Sequence, residues 1–431
     1  KPLMPVPLEP TILVQPPFPP GSMPSIMHWR YNTALIVAIS LHAVRSRPTL
    51  RLQPDGTFKI ALFCDMHFGE GALKDAKTVT FEHTMLQLES PDLVVIDGDA
   101  SSNYAAPHCS SLNNHCRDWY LNNWRQFTAP FVANGVAYAY TLGNHDRIPG
   151  PWPRGVPGDE SNYAVADHWI MSQDAQNSFS LSEDGPTAIH GASNYVVPIL
   201  DRDGKPAAYI WLMDSSDTDC LGQEGWGCVY PDQVSWYLET SRRLAKQDGR
   251  VVPGIMFHHI PLNEVLHAWN DPDVPMHGTK GEGICCFSVN TGLFAAIKEA
   301  GNLWGVFHGH DHNNDFVAVY EGVRLGFGRK SGYGGYGGSI ADHPGSRVFE
   351  LSVAQNGSIT WDTWIRLETG EKPTQTSVKH PYGMREDLCC AANPGPDGGE
   401  LDAAHACRTA NHPEACRIAV GLGEWDQPLE V

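Results

Sequence analysis

The stretch "TLRLQPDGTFKIALFCDMHFGEG", residues 49–71, decides the fold class. Asp55-Gly56 marks a turn, and behind it a nearly continuous apolar run ends abruptly at Asp65 and His67. A strand with one wet face alternates apolar and polar side chains; a strand without alternation is buried on both faces. Double burial points to a sheet covered by helices.

The same unit recurs downstream as "PDLVVIDGDA" (91–100), "GVAYAYTLGNHD" (135–146), "AAYIWLMDSSD" (207–217), "VVPGIMFHHIP" (251–261) and "LWGVFHGHDH" (303–312). Each apolar strand carries Asp, Asn or His at its C-terminal end. Helical spacing lies between them. "VTFEHTMLQLES" (79–90) places Phe81, Met85 and Leu88 on one face, and "DQVSWYLETSRRLAKQ" (232–247) does so with Val234, Leu238 and Leu244. "TGLFAAIKEAG" (291–301) ends in a glycine stop. Alternating strands and helices predict an α/β fold with helices on both sheet faces. Two later segments, 315–329 and 346–367, read as antiparallel strands, with Asn356-Gly357 as a hairpin turn.

The chain divides into three parts. Residues 1–47 form a proline-rich leader, 48–371 the α/β domain, and 372–431 an extension rich in Pro, Gly and Asp and holding several cysteines. Within the leader, "TALIVAISLHAV" (33–44) is too short to span a bilayer. It reads either as the apolar region of a signal peptide starting at Met27 or as a buried element of the first layer. Cys109/Cys116 and Cys220/Cys228 read as small disulfide-closed loops among eleven cysteines, and Cys64 as a core thiol. With the acceptor Asn356-Gly357-Ser358, they lean towards a secreted or endomembrane protein, the cytoplasm being the other option.

Formal charge is −19, from 49 acidic and 30 basic residues. Such a field repels nucleic-acid polymers and lipid headgroups, and no basic run opposes it. A phosphorylated substrate then requires a local positive centre, which metal ions supply.

The strand ends provide ligands for such a centre: Asp65-Met66-His67, Gly98-Asp99, Gly143-Asn144-His145-Asp146, His258-His259-Ile260-Pro261 and Gly309-His310-Asp311-His312. Carboxylate, imidazole and amide oxygen without thiolate suit borderline to hard divalent or trivalent ions. Each piece alone has a plainer reading as a turn, a cap or a packed histidine. Their weight comes from all five following apolar strands, where α/β sheets place their sites.

In this order the motifs resemble the calcineurin-like metallophosphoesterase superfamily. The chain is most similar there to the compact phosphatases of plants and fungi related to purple acid phosphatases. "FKIALFCDMHFGEG", "HHIPLNE", "SVNTGLF", "GVFHGHDHNNDF" and "GYGGYGG" carry the resemblance, which covers about residues 48–368. It implies a four-layer αββα sandwich of two mixed sheets flanked by helices. It also implies two metal ions, of iron, zinc, manganese or magnesium. Asp65, His67, Asp99 and His312 would hold one, and Asp99, Asn144, His259 and His310 the other, with Asp99 bridging. The purple enzymes place a tyrosine three residues after the bridging aspartate. Ser102 stands there in this chain, so no tyrosinate-to-iron colour is expected, and Tyr104 is too far along to substitute.

The reaction implied is hydrolysis of a small phosphoester, most simply a monoester, by hydroxide formed on the metals. His145 fits no ligand slot and would serve as general acid. Asp146 would either orient that imidazole or cap the following loop. Hydrolysis of small phosphodiesters or nucleotides is the alternative, and a non-catalytic metal-binding surface protein a second. His258 and His308 read as packed histidines. Tyr104, Trp152, Trp226 and Trp269 sit on expected rim loops, to stack on substrate or to pack. The run "SGYGGYGGS" (331–339) either lets backbone approach a phosphate or makes a flexible turn.

Overall fold

The computed structural model describes residues 47–106, 115–149, 163–338, 340–354 and 358–378. Signal-like residues 27–44, Cys109, Trp152, the 356–357 turn with its glycosylation acceptor, and the tail cysteines lie outside them.

The first part of the chain builds β1 (Thr57–Phe63), α1 (Ala72–Glu89), β2 (Leu93–Asp97), α2 (His115–Asn134) and β3 (Ala137–Thr141). These are two successive crossovers, and β1, β2 and β3 pair in parallel. A short β4 (Ile148–Pro149) and β5 (Tyr163–Val165) follow, then α3 (Asp167–Asp174). The second part builds β6 (Tyr195–Leu200), β7 (Pro206–Leu212), the hairpin β8 (Thr218–Cys220) and β9 (Gln223–Trp226), α4 (Pro231–Asp248) and β10 (Gly254–Phe257). It continues through α5 (Asn263–Asn270), β11 (Met276–His277), α6 (Leu293–Ala300), β12 (Leu303–His308), β13 (Val317–Tyr320) and β14 (Val323–Phe327). The chain then returns to the first sheet as β15 (Gly345–Val353) and β16 (Ile359–Leu367).

Two mixed sheets result, ordered β16-β15-β1-β2-β3 and β11-β13-β14-β12-β10-β7-β6. Side-chain alternation assigns their faces. Phe257 and Phe307 of the second sheet meet Phe349 of the first, with centroids 5.6 and 4.6 Å apart, so the two sheets pack directly on each other. On the outer face of the first sheet, Phe63 meets Phe81 of α1 and Phe131 of α2, both at 5.7 Å. On the outer face of the second, Trp211 meets Tyr237 of α4 at 4.9 Å. Helix, sheet, sheet and helix make the four layers expected.

The unbroken apolar runs reflect this double cover: every residue of β2, β3 and β10 is buried. Leu88 departs from its expected face. It is 44% exposed two residues before the left-handed Ser90 that ends α1, and Leu86 is buried instead. Residues 376–378, past the boundary expected at 371, hydrogen-bond along β11. Cys220 and Cys228 are bonded to each other, while Cys64 is buried and free. Cys116, Cys285 and Cys286 are also disulfide-bonded. No helix among the described residues is long and apolar enough to cross a membrane.

Candidate metal centre

Five parallel strands from both sheets deliver the site. Asp65 follows β1, Asp99 follows β2, Asn144 and His145 follow β3, His259 follows β10, and His310 and His312 follow β12. Because the sheets face each other, these ends converge at one edge of the sandwich. The backbone there is bent sharply. Asp65, His67, Asp99 and His310 all have positive φ, between 50° and 73°. Left-handed backbone is costly for such residues and clusters where a site over-determines it. Gly98 and Gly143 permit the close approach. A Cβ on Gly143 would lie 2.2 Å from Asp99 Oδ1, and one on Gly98 2.5 Å from His259 Nδ1.

Two buried groups form. Asp65, His67 and His312 bring ligand atoms within 4.8 Å of one another, and so do Asp99, His259 and His310. Asn144 Oδ1 lies 3.0 Å from His310 Nδ1, alongside the second group. Asp99 Oδ2 is 3.0 Å from His259 Nε2 and 3.7 Å from His67 Nε2, between the two groups. Asp65 Oδ1 is 3.6 Å from His312 Nε2 and 3.8 Å from His259 Nε2.

Hydrogen bonds on the far side of each ring show what this geometry is for. His259 Nδ1 donates to the Asp97 carbonyl at 2.8 Å, and His312 Nδ1 to the Tyr336 carbonyl at 3.0 Å. A carbonyl only accepts, so each ring, when neutral, turns a bare Nε2 inward. Inward, His67 Nε2 is 3.1 Å from His312 Nε2, and carboxylate oxygens lie near both. Where acceptors face one another, a proton or a metal ion must lie between them. Burial disfavours a charged His259, but Asp99, Asp65 and Asp97 outweigh it and push its pKa up to about 10. The site thus pulls positive charge onto its own imidazole. Burial holds His67, His310 and His312 well below the ordinary histidine pKa, so they remain neutral donors. The residues therefore fit a pair of metal ions by donor type, tautomer and field.

His145 lies beside the groups, its ring 5.4 Å from that of His67. Its backbone N–H donates to Asp99 Oδ1 at 2.8 Å, and its Nδ1 to Asn103 Oδ1 at 2.8 Å. Asn103 Nδ2 is turned towards the Asn144 carbonyl, at 3.4 Å, which leaves its oxygen for His145. Nε2 is then the ring atom available for proton transfer. Burial lowers the His145 pKa.

Asp146 corrects one expectation: it does not orient His145. Its carboxylate accepts the backbone N–H groups of Asp99 at 2.8 Å, Ser101 at 3.0 Å and Gly143 at 2.7 Å. It ties two ligand loops together, the capping option, and Asn103 takes the orienting place. Nothing in the sequence marked Asn103, since its partner lies 42 residues away.

Other expectations divide. His258 and His308 turn away from the groups, Nδ1 bonding the Ile260 carbonyl at 2.8 Å and the His258 carbonyl at 3.2 Å. Trp226 packs edge-on against His310, with centroids 4.4 Å apart, whereas Trp269 packs near Phe316. Tyr104 stands edge-on to His145 at 5.2 Å, and its hydroxyl bonds Glu70. The glycine-rich run lies against the first group: Tyr336 stacks flat on His312 at 3.8 Å. Buried Lys330, unmarked in the sequence, donates to the Asp65 carbonyl at 2.8 Å and adds positive charge beside that group.

A two-sheet sandwich with two such ligand groups is the arrangement that the resemblance to metallophosphoesterases implies. The calcineurin-like phosphoesterase family model matches residues 58–314, more than half of the chain, and the protein belongs to that family. It is similar to a protein named probable inactive purple acid phosphatase 14 of Arabidopsis thaliana. The two are 28% identical over 75% of this chain and 83% of the relative. Phosphatase DCR2 of Saccharomyces cerevisiae is 24% identical over 78% of this chain and 59% of its own length. Among solved structures, a dimetal phosphatase from Danio rerio aligns with a TM-score of 0.45. It has 12% identity and covers 76% of this chain and 99% of that one.

Proposed function

We propose that the protein hydrolyses phosphomonoesters at a dinuclear metal centre, with His145 as general acid. The carrying observation is the pair of ligand groups flanking Asp99, with His145 held next to them. Asp65, His67 and His312 would hold one ion and Asn144, His259 and His310 the other, Asp99 serving both. Bound ions would supply Lewis-acid charge for phosphoryl oxygens and a nucleophilic water at neutral pH.

The chain's own part is positional. Asn103 holds Nδ1 of His145, so the proton for the leaving oxygen passes through Nε2. Asp146 fixes the loops that carry Asp99 and Asn144. The −19 charge disfavours polymeric nucleic acid, which is consistent with a small phosphoester as substrate. Phosphatase names among the relatives favour monoesters over diesters.

Some relatives are named probable inactive, which keeps a non-catalytic, metal-binding reading in play. What supports the catalytic reading is that Asp65, His67 and His312 lie together, as do Asp99, His259 and His310, with His145 beside them. Rates on p-nitrophenyl phosphate and bis-p-nitrophenyl phosphate, after chelation and after restoring zinc, manganese or iron, test the proposal. Chelator-sensitive turnover favouring the monoester is expected. Preference for the diester replaces the substrate class, and tight binding of two ions without turnover of either ester establishes the non-catalytic reading.

A further inference from the structure

Glu70 joins the two sides of one ligand group. Its Oε1 accepts from the Ser102 hydroxyl at 2.8 Å, from the Gly335 backbone N–H at 2.6 Å and from the Tyr104 hydroxyl. Its Oε2 accepts from Lys74 at 2.7 Å. Burial works against its charge, but these bonds outweigh burial and hold its pKa at about 2, so the carboxylate is ionised and only accepts.

The Ser102 hydroxyl has a single proton, which Glu70 takes. Ser102 Oγ then meets His67 Nδ1, 3.0 Å away, as an acceptor. His67 is left with its proton on Nδ1 and a bare Nε2 facing the group. The Gly335 bond acts on the other histidine. Gly335 leads into Tyr336, whose carbonyl takes the His312 Nδ1 proton at 3.0 Å. The Tyr336 hydroxyl accepts from the His312 backbone N–H at 3.1 Å and donates to Glu282 at 2.9 Å. Gly335, with φ of 67°, runs tight against both imidazoles. A Cβ there would lie 2.7 Å from His312 and 2.9 Å from His67.

We infer that Glu70 is a positioning residue for one metal site. Through Ser102 on one side and the Gly335–Tyr336 peptide on the other, it sets His67 and His312 in the tautomer that offers Nε2 to a metal ion. The inference rests on the dinuclear reading above. Ser102 stands where the resembled purple enzymes place a tyrosine ligand. In this chain that position orients a ligand through a relay, in place of supplying one. Partners of this kind fix tautomer and raise ligand basicity, and their loss weakens metal binding by about 10–100-fold.

Zinc uptake by the metal-free full chain, in competition with a chromophoric chelator, tests this on wild type, Ser102→Ala and Glu70→Gln. Wild type should take up two ions. Each variant should weaken one uptake step by about 10–100-fold and leave the other within about twofold. The effect of Ser102→Ala should persist in a His310→Ala background, where only the first group remains intact. Nitrogen-15 NMR of metal-free protein should show the His67 proton on Nδ1 in wild type and its loss from Nδ1 in Ser102→Ala. If Glu70→Gln does not fold, Ser102→Ala decides alone, since it removes one oxygen and leaves Glu70 in place. No uptake by wild type overturns the dinuclear reading itself. Two ions bound at wild-type affinity by Ser102→Ala, or an equal loss at both sites, overturns the positioning role and leaves that reading standing.

Discussion

Asn103 Oδ1 holds the His145 imidazole by Nδ1 at 2.8 Å, so Nε2 is the ring atom left for the proposed general-acid step. His145→Ala should therefore lower kcat by about 10²–10⁴-fold without changing metal content. The loss should be larger for an alkyl phosphate than for p-nitrophenyl phosphate, whose leaving group needs little protonation. Asn103→Ala should lower kcat by less, with KM unchanged. Steady-state kinetics across a leaving-group series checks this. Equal losses for good and poor leaving groups would remove the general-acid role.

Asp146 is expected to matter for stability more than for the chemical step. Asp146→Ala strands three buried N–H groups, those of Asp99, Ser101 and Gly143. Each stranded donor costs about 1–3 kcal/mol, so a loss of roughly 3 kcal/mol or more is expected in urea denaturation. Metal affinity should fall with it, because the tied loops carry Asp99 and Asn144. A variant with wild-type stability and lost turnover would restore the catalytic assignment.

Glu70 sets a pH dependence whose sign follows from its depressed pKa. Its folded value is about 2 against an ordinary 4.5. Its contribution is then complete above pH 4.5 and is lost as pH falls towards 2. The stability gap between metal-free wild type and Glu70→Gln should be widest at neutral pH and close on acidification. Denaturation curves of both proteins at pH 7, 5 and 3 measure it, and a gap that grows towards low pH would contradict the assignment.

The Cys220–Cys228 bond closes the hairpin that sets Trp226 against His310. A loop this short contributes about 2–3 kcal/mol by restricting the unfolded chain. Replacing both cysteines by serine should lower stability by that amount. If the hairpin also holds Trp226 in place, zinc affinity of the second group should fall too, by a smaller factor than for His310→Ala. Thermal melts and chelator competition read the two effects separately.

The sequence by itself determined the doubly buried strands, their helical crossovers and the polar residues at their ends. Those properties are local: a strand covered on both faces cannot hide its composition, and ligands at strand ends stand next to it in the chain. The family pattern added an expected pairing of ligands into two groups, and the structure gathers Asp65, His67 and His312 in one place and Asp99, His259 and His310 in another. Only the tertiary structure decided the partners. Asp146 was legible as a carboxylate beside His145, but its direction depends on three N–H groups, two of them more than forty residues away. Asn103, Glu70 and Tyr336 carry no such mark in the sequence, and Ser102 stands out there only as a missing tyrosine, because a polar side chain announces no distant acceptor. Their roles arise where β1, β2, β12 and the glycine-rich run meet. There a hydrogen bond of about 3 Å fixes which nitrogen of a histidine is bare, and periodicity carries no trace of it.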